Sequence, residues 1–482
     1  MNMSKKQISL FQAFIPILVL IPLLAINVYV FGDNSLGGAN QFALLTSAAV
    51  AVVIGLSLKI PYNEIFEKVA SSISSTTSAI LILLMIGSLS GTWLISGIIP
   101  TLIVYGLNIL SPAIFLVATT IICAIVSVAS GSSWSTIATI GIALLGVGSA
   151  LGFSEAMTAG AIISGAYFGD KMSPLSDTTN LAAAMAKTDL FTHIKYMSLT
   201  TIPSFGLNIL IFLGIGIFYE TSTSDIEIGG LITTVESTFN TTPLLFLVPA
   251  LVVFLIIKKV KPLPVLFIGS VLGGIFAIIF QPQIIEQLTP NAKTYFEASY
   301  IALINALTND VSIETGNPAI TDLLSSGGMK GMLNTVWLIL CAMTFGGVLE
   351  AIGSLKRISA MLLQGIHNNG GLVGRTVVSC LFVNVTASDQ YLAIVVPGKM
   401  FEEAYTDQNL APENLSRTLE DSGTVTSVLI PWNTCGAAQS SVLGVATLAY
   451  LPFCFFNYIS PAMTILFAYM DIKIKKKSNN NI

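Results

Sequence analysis

The sequence predicts an all-α polytopic membrane protein with roughly 10–13 membrane segments, several of them broken or re-entrant, because its apolar runs cluster around the length that spans ~30 Å of hydrocarbon. Three observations predict this. Of 482 residues, 54% are hydrophobic and only 10% are charged, with a mean hydropathy of +0.82, whereas soluble proteins carry roughly 25% charged residues. Residues 69–169 contain no Lys, Arg or His, and Glu155 is their only charge. Finally, the apolar runs are interrupted by short polar stretches that occur twice, once in each half of the chain.

Taken in order, residues 1–6 are basic and residues 8–31 form a first apolar span with no small-residue cleavage site, so they read as a helix and not as a removed leader. Residues 42–58 return, and 59–68 hold Lys59, Glu64, Glu67 and Lys68. Glycines, Pro100 and Pro112 cut the uncharged stretch into helices at 79–99, 112–128, 136–147 and 156–168. The last three are short for full spans, the pattern expected of broken helices or re-entrant hairpins that line a cavity. After Lys187, His193 and Lys195, residues 197–218 span again, followed by an acidic loop at 219–242. Runs at 244–257 and 263–280 flank Lys258, Lys259 and Lys261; residues 281–331 are the least hydrophobic part, and 333–349 leads to Lys356 and Arg357.

Lys and Arg concentrate in cytoplasmic loops, which places both termini, Lys59/Lys68, Lys187/Lys195, Lys258–Lys261 and Lys356/Arg357 inside, with 219–242 and 281–331 outside. The whole chain, 1–482, reads as one integral membrane domain: N-terminal spans (1–78), a first repeat (79–220), central spans (243–281), an external polar segment (282–331), a second repeat (332–471) and a basic cytoplasmic tail (472–482). The five cysteines stand singly in or beside apolar runs, with no C-x-x-C pair, so neither a disulfide framework nor a zinc site is indicated. No H-E-x-x-H or G-x-S-x-G occurs, so an enzyme is not expected.

The polar island G-D-K-M-S-P-L-S-D-T-T-N (169–180) lies within apolar sequence, and charges at membrane depth mark pathways or sites by default. Its surroundings are echoed. A polar turn V-S-V-A-S-G-S-S-W (126–134) precedes it; V-N-V-T-A-S-D-Q-Y (383–391) precedes E-D-S-G-T-V-T (420–426) and I-P-W-N-T-C-G (430–436). Paired breaks in corresponding positions point to a binding site at the membrane midplane between repeats. Carboxylates, hydroxyls and freed carbonyls make the all-oxygen shell that hard cations prefer. The candidate residues are Ser132, Ser133, Asp170, Ser173, Asp177, Thr178, Asn180, Asp389, Asp421, Thr424, Asn433 and Thr434, with Asp177, Asn180 and Asn433 as Na⁺ ligands. Asp177 equally suits an N-cap on the helix that follows it. Asp421 equally suits a solvated helix start beside Arg417 and Glu420. Asp170 and Lys171 read as a buried pair in which the ammonium competes with a cation, as a structural salt bridge, or as part of a cytoplasmic loop. Glu155 fits a helix N-terminal charge.

With G-T-W-L-I-S-G-I-I-P (91–100), S-G-S-S-W-S-T-I-A-T (130–139), the island and P-W-N-T-C-G (431–436), the sequence resembles the NhaC family of sodium/proton antiporters over roughly residues 40–470. The resemblance implies secondary active transport by alternating access, with two inverted repeats whose hairpin tips meet near the midplane. It places residues 130–135 at one tip facing the break at 173–180, and residues 386–390 and 431–436 as their partners. It also implies exchange of Na⁺ for H⁺ across the plasma membrane, with no cofactor beyond these transported ions. The alternative is exchange of a small carboxylate of the malate/lactate type, with Lys171 or Lys399 neutralising the anion; a receptor or channel without coupled movement is a third reading. The implied partners are small ions and the lipid bilayer, with no nucleic acid, and a homodimer is one assembly left open.

Overall fold

The computed structural model describes residues 7–477, apart from 32–34, 36, 220–224, 316–320, 322–323 and 363–367; Asp33, Glu220 and His367 therefore lie outside the described residues. Eight described helices are long and apolar enough to cross a membrane, and ten crossings result if each of two bent pairs, Gly229–Thr238 with Pro243–Ile257 and Thr447–Phe453 with Phe455–Tyr469, is one span. The only strands among the described residues are Val311–Ser312 and Ser325–Ser326, a short antiparallel pair. It is tied to the helix Thr77–Ile95 through the hydroxyls of Ser326 and Ser90, 3.1 Å apart.

The order of elements repeats. Thr77–Ile95 and Ile98–Ile109 are joined at Gly97 (φ 77°), and Leu333–Ala351 and Ser354–Leu362 are joined at Gly353 (φ 75°). Pro112–Ser130 turns at Gly131 (φ 68°), as Asn369–Thr386 turns near Ser388 (φ 58°). A returning arm follows in each half, Ser133–Ala150 or Leu392–Asp407. Then comes an interrupted helix. Glu155–Met172 is broken from Asp177–Ala186, and Pro412–Leu419, continued by a π turn and a 3₁₀ turn to Leu429, is broken from Thr434–Leu443. These last short helices both end in a left-handed residue, Lys187 (φ 58°) or Gly444 (φ 68°). The correspondence also takes in the spans before each repeat. Thr77–Ile95 packs on Pro262–Phe280 and Tyr295–Thr308, while Leu333–Ala351 packs on Ala39–Ser57 and Tyr62–Ser75. Each half thus supplies the supporting layer of the other, as expected of an inverted-repeat secondary transporter fold.

Three local findings differ from the sequence reading. Pro112–Ser130 and Ser133–Ala150, expected to fall short of full spans, are 19 and 18 residues long and apolar enough to cross. A continuous helix over 79–99 is expected, but the chain turns at Gly97, and the amide of Gln281 donates to the carbonyl of Ser96 at 3.2 Å, satisfying that helix end. Pro100 makes no break; it sits in the first turn of the next helix, where no backbone N–H is needed. The polar island is also helical further than expected: Glu155–Met172 runs past Asp170 and Lys171, and the break is confined to residues 173–176. Close approach fixes its position against the preceding helix. A Cβ at Gly165 would lie 2.2 Å from the carbonyl oxygen of Thr120, and one at Gly169 2.3 Å from that of Ala124, so this helix lies directly on Pro112–Ser130.

Candidate functional site

The first hairpin tip is built by capping. Gly131 ends the descending helix in the left-handed region, and a Cβ there would lie 2.6 Å from Leu175 in the break. Ser132 caps the returning arm, its hydroxyl accepting from the Ser135 N–H at 3.2 Å. The N–H and the hydroxyl of Ser133 both donate to one oxygen of Asp170, at 3.0 and 2.7 Å. Asp170 is buried, so its carboxylate is held against the positive end of the arm helix. Ser173 turns away, its hydroxyl donating to the carbonyl of Val128 at 2.8 Å and tying tip to break.

Beyond Asp170, two hydroxyls of the break lead to the second half. The Ser176 hydroxyl lies 3.0 Å from that of Thr178. The Thr178 hydroxyl donates to one oxygen of Glu420 at 3.0 Å. The other Glu420 oxygen and the Thr424 hydroxyl are buried without a hydrogen-bond partner. The break after Asp170 is therefore hydrogen-bonded to a carboxylate of the second half, and two oxygens remain open beside it.

Next to this bond lies a second contact between halves. The Lys171 ammonium is buried, donating to Asp421 and, at 2.8 Å, to Ser460. Asp421 also accepts from Thr200 at 2.8 Å, from Thr464, and from Ser460 at 3.3 Å. The reading of Asp421 as a solvated helix start is thus corrected: the residue is fully buried because Leu190–Phe218 and Phe455–Tyr469 close over it. Lys171 pairs with Asp421 and not with its neighbour Asp170, since adjacent helical residues point to different faces.

The second hairpin tip uses its polar groups locally. Asp389 is buried and accepts the Leu392 N–H at 2.8 Å, capping the returning arm. Asn433 caps Thr434–Leu443 by accepting the Cys435 N–H at 3.0 Å, and its amide donates to both oxygens of Asn384 at 3.1 Å. The Thr434 N–H donates to the carbonyl of Ser388 at 3.0 Å, joining tip to break as Ser173 does in the first half.

Asp177 and Asn180 are exposed, at the first turn of Asp177–Ala186; the Asn180 amide donates to the carbonyls of Pro174 and Ser176 at 3.0 and 2.7 Å. Of the candidate residues, the structure gathers Ser133, Asp170, Thr178 and Thr424 with Asp421 beside them, and gathers Asp389, Asn433 and Thr434 at the other tip. Glu155 is exposed in a first helical turn. Sequence reasoning missed Glu420, Ser176, Thr200, Ser460 and Thr464. Glu420 carries a sequence signal, being acidic within the E-D-S-G-T-V-T stretch next to Asp421.

A sequence model of the Na⁺/H⁺ antiporter family matches residues 165–472, a stretch that includes both break regions. The chain is 41% identical over 436 residues to the Na(+)/H(+) antiporter NhaC of Alkalihalophilus pseudofirmus, covering 90% of this chain and 91% of that one. It is 38% identical over 429 residues to the NhaC protein of Bacillus subtilis, with 89% and 91% covered. To the malate-2H(+)/Na(+)-lactate antiporter of Bacillus subtilis it is 35% identical over 444 residues, covering 92% of each.

Proposed function

This chain belongs to the Na⁺/H⁺ antiporter family, and from that premise we propose that it exchanges Na⁺ for H⁺ across the plasma membrane by alternating access, with both termini cytoplasmic, at a site formed by Asp170 and Glu420. The observation that supports the site is the buried Thr178–Glu420 hydrogen bond, which joins the break just after Asp170 to a carboxylate of the second half. Ser133, Ser176, Thr178, Thr424 and the two carboxylates offer an oxygen-only set, which suits a hard monovalent cation. Na⁺ and protons compete for the same carboxylate oxygens, so loading one ion releases the other. Asp177 and Asn180, exposed on the neighbouring helix, line the approach and favour cations by charge and dipole.

The Asp421–Lys171 pair serves as a fixed anchor in this reading, because Asp421 accepts from four donors. The same pairing weighs against a carboxylate cargo held by Lys171, and Lys399 is exposed. The test is Na⁺-driven collapse of an imposed pH gradient in proteoliposomes. Wild type is expected to show it, and Asp170→Asn and Glu420→Gln, purified as folded protein, are expected to lose it. Unchanged exchange in both variants would move the site elsewhere.

A further inference from the structure

The helix that carries Glu420 also carries a buried cation with nothing to bind. Arg417 is fully buried, and none of its three guanidinium nitrogens has a hydrogen-bond partner. Its contact is the face of the Tyr196 ring, 4.7 Å from the guanidinium carbon. Such a stack is worth ~2 kcal/mol at best when desolvated, far less than the cost of a buried charge left without hydrogen bonds. An arrangement of this kind persists in a protein when the charge has a partner in another state.

The partner is visible. Glu420 lies three residues on, one helical turn away, and its second carboxylate oxygen is buried and open. Residues at this spacing are neighbours on a helix surface. Helical side chains lean toward the N-terminus, so Glu420 leans toward Arg417 while Arg417 leans toward Glu413. The carboxylate one turn the other way, Glu413, pairs one oxygen with Lys475 at 2.5 Å while its other oxygen is also buried and open, so Glu420 is the neighbouring acid that no ammonium or guanidinium among the described residues pairs. His193 faces the same helix and is engaged by Ser416 at 2.7 Å, while Tyr196 itself donates to Asn414 at 2.5 Å. Arg417 is therefore hydrogen-bonded to neither acid, and of the two the one ahead has no cationic partner of its own among those residues.

We propose that Arg417 is a tethered competitor of the transported cation: it rests on Tyr196 while Na⁺ occupies Glu420, and moves onto Glu420 as Na⁺ leaves. This rests on the Na⁺/H⁺ reading of the Asp170–Glu420 site. An internal cation that takes the vacated carboxylate weakens Na⁺ binding and speeds release, so removing it tightens binding and slows turnover. Arg417→Gln is expected to lower the KM for Na⁺ at least about five-fold, the low end of typical site coupling, while maximal rate also falls. Arg417→Lys, which keeps a charge without the planar fork, is expected to fall between wild type and Gln.

The assay is Na⁺-concentration dependence of exchange in proteoliposomes, with Na⁺-induced thermal stabilisation in detergent as an independent measure of binding. A residue that only supports folding would lower the rate with KM unchanged. That result, or a raised KM, would overturn the proposal while wild-type exchange left the family reading intact. Absence of Na⁺-dependent exchange in wild type would instead remove the reading on which it rests. If Arg417→Gln does not fold, Arg417→Lys decides: a KM at or above the wild-type value overturns the proposal.

Discussion

Thr178→Val is the sharpest test of the Thr178–Glu420 hydrogen bond. Valine keeps the shape of threonine and removes only the group that donates to Glu420 at 3.0 Å and lies 3.0 Å from Ser176. The residue is buried, so water does not readily replace the lost donor. A hydrogen bond to a charged group is worth ~1.5–3 kcal/mol, and each 1.4 kcal/mol is tenfold in an equilibrium. The KM for Na⁺ is therefore expected to rise roughly tenfold to a hundredfold. Thr179→Val is the matched control, because the next hydroxyl along donates to the Lys171 carbonyl at 3.0 Å and not to a carboxylate. It is expected to lower thermal stability and leave KM within about twofold, a surface-like change in binding. Both are read in proteoliposomes from the Na⁺ dependence of pH-gradient collapse. Equal KM values in wild type and Thr178→Val would refute the role given to that bond, as would an equal rise in both variants.

Lys171→Met leaves Asp421 buried and unpaired, which is expected to cost ~3–5 kcal/mol and to lower the melting temperature in detergent; combining it with Asp421→Asn should recover most of the loss. Gly169→Ala places a methyl group 2.3 Å from the Ala124 carbonyl oxygen, an overpacking expected to cost ~1–3 kcal/mol, whereas Gly206→Ala, with open space around it, should be neutral or mildly stabilising in the same thermal assay. Asp189 caps Leu190–Phe218 through the backbone N–H and hydroxyl of Thr192, which holds its carboxyl below the ordinary Asp value. Its folded value is depressed, so its stabilisation is present above the ordinary Asp range and lost as pH falls through the lower folded value. Asp189→Asn should remove that acid-range dependence from thermal unfolding while keeping the cap.

The class of the fold was legible because composition forces it, and the two breaks were legible because prolines, glycines and hydroxyls interrupt runs that have no other reason to stop. The partition of acids within the breaks was not. Asp170 and Asp177 are equivalent by composition, yet they fall on opposite sides of the bend at residues 173–176, so one faces the hairpin tip and the other is exposed. Asp389 and Asn433 looked like ion ligands because they sit at tips. At a tip, however, free backbone N–H groups are the nearest donors, and capping takes these side chains first. Glu420 was obscured by its neighbourhood. The stretch from Pro412 reads as a polar, amphipathic helix suited to water, and only the closure of Leu190–Phe218, Asn369–Thr386 and Phe455–Tyr469 around it makes it interior.

The exchange of supports between halves explains why a site at this position can alternate. Asp177–Ala186 of the first half packs on Leu392–Asp407 of the second, and Thr434–Leu443 of the second packs on the returning arm of the first. Each interrupted helix thus ends on the other half's hairpin, so relative movement of the halves is transmitted to both breaks together. Among the several polar links between the halves, which include Lys187–Glu402, Tyr196–Asn414 and His193–Ser416, Lys171–Asp421 and Thr178–Glu420 differ in kind. Asp421 is saturated with donors, so separating it from Lys171 exposes an unpaired buried charge and is strongly opposed. Glu420 keeps an open oxygen and is tied by one hydroxyl, so its surroundings can change at the cost of a single hydrogen bond. From that difference, parting Lys171 from Asp421 is expected to cost more than parting Thr178 from Glu420, so the second link is the one that an ion at Glu420 is expected to change.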